Sequence, residues 1–179
     1  MLNRWGGWLV LISLALATTW LVRSSDDDLS KQTESSLQVF DYTLKNFKST
    51  QMDEQGQLKN QLTAETMIHY PDSNATLIAP YMVFYKEALP TWTVRAEQGE
   101  ISPDGNQVWL LGNTILGRQQ MEIISRDVRV QLDTEHAETT APTTIISNNA
   151  ETHSVGMRVF LSTERVDLLS QVRGHYVLP

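Results

Sequence analysis

The sequence predicts an all-β body built from many short antiparallel strands, and three observations carry that prediction. Beyond about residue 36 no stretch keeps helical periodicity for the ten to twelve or so residues that a helix needs. Alternation takes its place. Trp92, Val94 and Ala96 alternate with Thr93, Arg95 and Glu97; Val128, Val130 and Leu132 with Arg129 and Gln131; and Val155, Met157, Val159 and Leu161 with the residues between them. The third observation is an internal repeat. A shift of 32 residues superposes Leu62-Thr63-Ala64-Glu65 on Val94-Arg95-Ala96-Glu97, Pro71-Asp72-Ser73-Asn74 on Pro103-Asp104-Gly105-Asn106, and Val83-Phe84 on Ile115-Leu116. Each unit reads as a strand, a turn and a returning strand, with a weaker third unit from Ile123 to Ile146, so the body reads as stacked hairpins.

Residues 1–23 read as a membrane anchor. From Trp5 to Val22 run eighteen uncharged, mostly apolar residues. At about 1.5 Å per residue a helix of that length spans roughly 30 Å of hydrocarbon. A cleaved signal peptide is the rival, since Ala15-Leu16-Ala17 fits a small-x-small cleavage site. Against cleavage, the apolar run continues through Leu21 and Val22, and Trp5, Trp8 and Trp20 sit where interfacial aromatic belts sit. Arg4 and the amino terminus on one side, against Arg23 followed by three aspartates on the other, favour a single pass with the N-terminus cytoplasmic and the body exported. Residues 24–36, with Asp26, Asp27 and Asp28 among serines, read as a solvated linker rather than a metal site. Residues 37–179 form the exported body, a single domain.

Charge and composition exclude several functions. The chain of 179 residues carries −7, and without Arg4 and Arg23 the remainder carries −9. An acidic surface does not gain from releasing phosphate counterions, so nucleic acid is not a partner. With no cysteine, disulfide scaffolds, thiolate metal sites and cysteine nucleophiles are excluded. His69, His136, His153 and His175 form no metal-binding pair, and no phosphate loop or nucleophile elbow is present. No catalytic residue, metal or cofactor is expected, and the chain reads as a non-enzyme.

Turn chemistry separates the runs at Asp53-Glu54-Gln55-Gly56, at the two Pro-Asp-x-Asn sites and at Ser147-Asn148-Asn149. Leu77-Ile78-Ala79, Tyr81 to Tyr85, Val108 to Leu111 and Ile115-Leu116 are apolar on both faces. Two readings follow. In one, the body is a filled sandwich that recruits a partner through an edge strand, a membrane-anchored scaffold. In the other, it is an incompletely closed sandwich whose interior takes acyl chains, and Leu77, Phe84 and Trp109 would then line a lipid-sized cavity. The terminal run His175 to Leu178 is β-prone and offers an edge for strand addition, the alternative being a frayed tail.

The order and spacing of several short motifs resemble the LptC family, single-span inner-membrane components of lipopolysaccharide export in Gram-negative bacteria. The motifs are the anchor, the turn ending in Gly56 before Leu62-Thr63-Ala64, Pro90-Thr91-Trp92 leading into Val94 and Ala96, and Leu110-Leu111-Gly112 closing a strand. Gly156-Met157-Arg158 and Val172-Arg173 before Tyr176 complete the set. The resemblance implies an open, V-shaped β-jellyroll of the OstA type in the periplasm. It implies that the chain accepts lipopolysaccharide from the ATP-binding-cassette transporter LptB, LptF and LptG and passes it to the bridge protein LptA through a C-terminal docking strand around Tyr176. It further implies that Gly56 and Gly156 matter for assembly, and that Phe47, Leu77, Val166 and Tyr176 approach the ligand. The chain departs from relatives that carry an aromatic–basic pair before the Leu-x-Ala strand, since it has Asn60-Gln61 there.

Overall fold

Alternating apolar and polar residues fold the body into ten antiparallel strands, in a computed structural model that describes residues 41–71 and 73–176. They are β1 Tyr42–Met52, β2 Leu58–His69, β3 Ala75–Ile78, β4 Tyr81–Lys86, β5 Leu89–Ile101, β6 Gln107–Arg118, β7 Met121–Gln131, β8 His136–Ser147, β9 Ala150–Phe160 and β10 Arg165–Tyr176. The anchor over residues 1–23 with Trp5, Trp8 and Trp20, and the linker over 24–36, lie outside the described residues. Among the described residues no helix is long and apolar enough to cross a membrane.

Strands pair in chain order except at β3 and β4, which do not pair with each other but follow one another in a single position between β2 and β5. The repeat has a structural counterpart. The hairpin β2 with β3–β4 matches the hairpin β5–β6, with Leu62 and Phe84 buried in the first as Val94 and Leu116 are in the second. The turns form as their chemistry dictates. Asp53 Oδ1 accepts the backbone N–H of Gln55 at 3.0 Å and of Gln57 at 2.7 Å, and Asp104 accepts the N–H of Asn106 at 3.1 Å.

Eight of the ten strands are 11–13 residues long, so the expectation of many short strands is corrected. The cause is a seam of irregularity that crosses the sheet at mid-strand. The register shifts at Ala96/Gln98, Leu110/Asn113, Ile124/Arg129, Thr139/Pro142 and Ser170/Arg173. Backbone φ turns positive nearby at Asn46, Ala79, Gly112, Asp127, Gly156 and Gln171. A bulge adds a residue and reverses which side chains face inward. In β5, Trp92 and Val94 are buried before the seam and Gly99 and Ile101 after it. In β9, Gly156 breaks the alternation, so Ser154 rather than Val155 takes the buried position before Met157 and Val159. Gly112 likewise marks the seam within β6 instead of ending a strand.

Backbone groups that the bulges leave out of the ladder are met by a file of buried hydroxyls. Thr114 donates to the Gly112 carbonyl at 3.3 Å, Thr139 to Arg126 at 2.8 Å, Ser125 to Pro142 at 3.1 Å, Thr143 to Ala141 at 3.2 Å and Ser154 to Gly156 at 3.3 Å. The Gly112 N–H is met by Asp127 Oδ1 at 2.9 Å. These serines and threonines account for nearly all the buried polar residues of the body, as expected where each buried carbonyl needs a partner.

The seam divides the sheet into two wings whose inner faces share one hydrophobic core. The wing tips meet. Lys59 Nζ, at the start of β2, donates to the Asp133 carbonyl at 3.0 Å and lies 3.9 Å from Glu135, both in the β7–β8 turn. Arg118, at the end of β6, is ion-paired with Glu164 in the β9–β10 turn. The sheet is therefore bent on itself across its mouth, while β1 and β10 stand, among the described residues, as its two unpaired edges.

Candidate functional site

The inward face is built in rows that cross the sheet. Nearest the tips of the first wing the register runs from Asn60 through Phe84, Trp92, Arg118, Met121, Ser147 and Ala150 to Tyr176. The next row is apolar, with Leu62, Met82, Val94, Leu116, Ile123 and Ile145. Beyond the seam, Leu77 faces Gly99 and Leu110, and Val166 faces Val159 and Ala137. The apolar row itself meets Ser49 on β1 and ends in Thr152 and Gly174, but the hydrophobic core as a whole draws a residue from every strand, from Phe47 on β1 to Val166 and Leu168 on β10.

Five of the six residues expected to line the interior have inward positions. Leu77 and Phe84 are fully packed in the core, Phe47 and Val166 rest against it, and Tyr176 stands at the exposed end of β10. Trp109 is the correction. It alternates with the buried Val108 and Leu110 and so points to the opposite face. A run that is apolar on both faces gives no phase from which the sequence could tell in from out. A groove of about 360 Å³ opens at the β1 edge beside Phe47, Lys48, Ala64 and Glu65.

The two glycines are not neighbours. Gly56 closes the β1–β2 turn at φ +76°, and no atom lies within 4 Å of the place a Cβ would take. Gly156 sits in the seam at φ +79°, where a Cβ would lie 3.0 Å from Leu169 Cδ1 and 3.3 Å from the Thr139 carbonyl. One is a free turn and the other is a close approach of β9 to β8 and β10.

On the outer face a ladder of Glu100, Trp109, Arg129, Glu138, Arg158 and Asp167 crosses the strands. Glu138 is ion-paired with Arg129 and lies 3.3 Å from Arg158 Nε. The Arg129 hydrogen bond, helped by its charge and by His136 and Arg158, holds the Glu138 carboxyl below the usual glutamate range. A depressed carboxylate stabilises the fold above its unfolded pKa, and that stabilisation is lost as pH falls through the folded value. Glu138→Gln is therefore expected to cost about 1 kcal/mol at neutral pH and to cost progressively less below the ordinary glutamate range, read from urea midpoints across pH. A pH-independent loss would mean the ladder is not electrostatic.

Sequence reasoning missed the wing-tip contacts, because Lys59 and Asp133 are 74 residues apart and Arg118 and Glu164 are 46 apart. No local spacing carries them, and they exist only once the sheet has bent. Among the described residues no three metal-ligating side chains converge.

A family model described as "Lipopolysaccharide-assembly, LptC-related" matches residues 8–177. No curated protein matches. Among solved structures the chain is similar to LptH, described as the LptA-homologous periplasmic component of the conserved lipopolysaccharide transport device from Pseudomonas aeruginosa. The similarity has a TM-score of 0.42 and 5% identity, covering 77% of this chain and 94% of that one.

Proposed function

The chain belongs to the LptC-related family of lipopolysaccharide-assembly proteins, and from that premise we propose that its body is a periplasmic conduit tethered to the inner membrane by residues 1–23. The acyl chains of lipopolysaccharide travel between the two wings while the sugar-phosphate head stays outside. The observation that carries this reading is the hydrophobic core that takes residues from all ten strands, including Phe47 on one edge and Val166 and Leu168 on the other. Acyl chains gain about 0.8 kcal/mol for each methylene they bury, which an acidic body can offer without attracting the head group.

We read the bent meander, closed at its tips, as the resting form of the open V-shaped jellyroll that the resemblance implies. Leu77 and Phe84 are packed, so loading requires the wings to part, and the tip contacts Lys59–Glu135 and Arg118–Glu164 are what must give way. The two edges divide the work. Strand β1 follows the anchor and is the edge offered to LptF and LptG of the LptB-driven transporter; β10 is the edge offered to LptA. Directionality comes from the transporter's ATP hydrolysis. Edge strands with unpaired backbone groups accept added strands in this manner.

Truncation after Arg173 tests the second edge. It removes the rungs of Gly174, His175 and Tyr176 with Thr152, Glu151 and Ala150. The shortened chain is expected to lose most of its capture of LptA in a pull-down while keeping its circular dichroism; unchanged capture would place docking elsewhere.

The scaffold reading has one observation in its favour, the close packing of Leu77 and Phe84. It predicts that the wings never part and that no lipid reaches the inner rows.

A further inference from the structure

We propose that Arg118 and Trp92 form an anion-recognising contact at the mouth of the interior, where a phosphate on an entering amphiphile takes the place of the Glu164 carboxylate. The inference rests on the conduit reading and adds to it a residue pair and a ligand chemistry.

Three observations converge on this corner. The indole of Trp92 is completely buried, yet among the described residues its Nε1 is the buried side-chain nitrogen or oxygen without a hydrogen-bond partner. An orphaned buried donor costs about 1–3 kcal/mol and calls for a reason. The Arg118 guanidinium lies over the same indole, 5.7 Å from the ring centroid, and reaches across the mouth to Glu164 on the opposite wing tip. Both residues belong to the row nearest the first-wing tips, where Asn60 and Arg118 bring polar groups, while the next row inward is apolar. A single-chain amphiphile with its tail along the apolar row would place its head group at Arg118.

The chemistry suits an oxyanion. A guanidinium presents a planar fork that matches carboxylate and phosphate alike. Glu164 supplies such a carboxylate from within the chain, so the protein on its own keeps Arg118 satisfied and its wing tips together. A phosphate carries more charge and more acceptor oxygens than the carboxylate it replaces, and parting of the wings at this corner uncovers the buried indole N–H as a second donor. Exchange of one anion for the other both binds the ligand and releases the tip contact that closes the mouth.

The test titrates the full chain, held in a phosphatidylcholine nanodisc, with dodecyl phosphate, dodecyl maltoside and inorganic phosphate by calorimetry, with empty nanodiscs subtracted. Dodecyl phosphate is expected to bind about tenfold more tightly than dodecyl maltoside, and inorganic phosphate not measurably, since it has no tail. Glu164→Gln removes both the internal competitor and a tip contact, and is expected to tighten dodecyl phosphate several-fold more than it tightens dodecyl maltoside. Arg118→Gln is expected to erase the preference, and Arg118→Lys to retain part of it, with circular dichroism of each variant matching the parent. If dodecyl maltoside binds but Arg118→Gln keeps the preference, or Glu164→Gln leaves dodecyl phosphate unchanged, the anion contact is wrong and the conduit stands. If neither amphiphile binds the parent chain, both fall. Tight binding of inorganic phosphate alone would overturn the assignment to a tailed ligand.

Discussion

Phe84→Ala is expected to destabilise the body by about 3–5 kcal/mol, the range for removing a buried aromatic side chain. Phe84 is 2% exposed and stands between Asn60 of β2 and Trp92 of β5 on the inward face. Phe84 lies inside β4, which is paired on both sides with β2 and β5, so the backbone around the cavity is held in the ladder and cannot collapse into it. Against a typical domain stability of about 5–15 kcal/mol, the loss is a large fraction of what holds the wings closed. Urea unfolding of the two proteins, compared at equal slope, reads it directly. A loss below about 1 kcal/mol would mean that the ring faces an open lumen instead of packed neighbours.

Gly156→Val is the second large effect, expected at about 2–4 kcal/mol. Two costs add. At φ +79° a β-branched residue is strained, and its Cβ would press on Leu169 at 3.0 Å and on the fixed Thr139 carbonyl at 3.3 Å. Leu169 is 52% exposed and can turn the end of its side chain aside, so the costs that remain are the positive φ and the Thr139 carbonyl, and a loss of stability is expected. Gly56→Ala is the control. Its φ is +76° but nothing lies within 4 Å, so only the backbone strain remains, about 1 kcal/mol. Thermal melts of both variants check the ranking; equal losses would show that the close approach at the seam does not matter.

The contrast between these glycines shows how far the sequence can be read. Asp53 to Gly56 is a turn because of local chemistry, and its hydrogen bonds form within five residues, so the motif is legible. The repeat is legible for a similar reason, since Leu62 and Val94 occupy equivalent inward positions of equivalent hairpins. Gly156 cannot be read as a seam residue, because its neighbours Thr139 and Leu169 come from two other strands. The seam also explains why the sequence suggests shorter strands than the fold contains. Each bulge reverses the phase of alternation, so one strand of a dozen residues presents itself as two short runs. Trp109 lies in a run with apolar residues on both faces, where phase carries no information. Arg118 and Glu164, the residues that give the mouth its chemistry, meet only through the bend of the sheet.

Photo-crosslinking in cells tests the conduit most directly. A photoreactive side chain placed at Phe47 or Val166, which rest against the core without being sealed in it, is compared with one at Trp109 on the outer face. The conduit predicts lipopolysaccharide adducts at the two inward positions and none at Trp109. Adducts at Trp109 alone, or none at either inward position while the transporter is working, would contradict it and leave the body as a scaffold with a closed core.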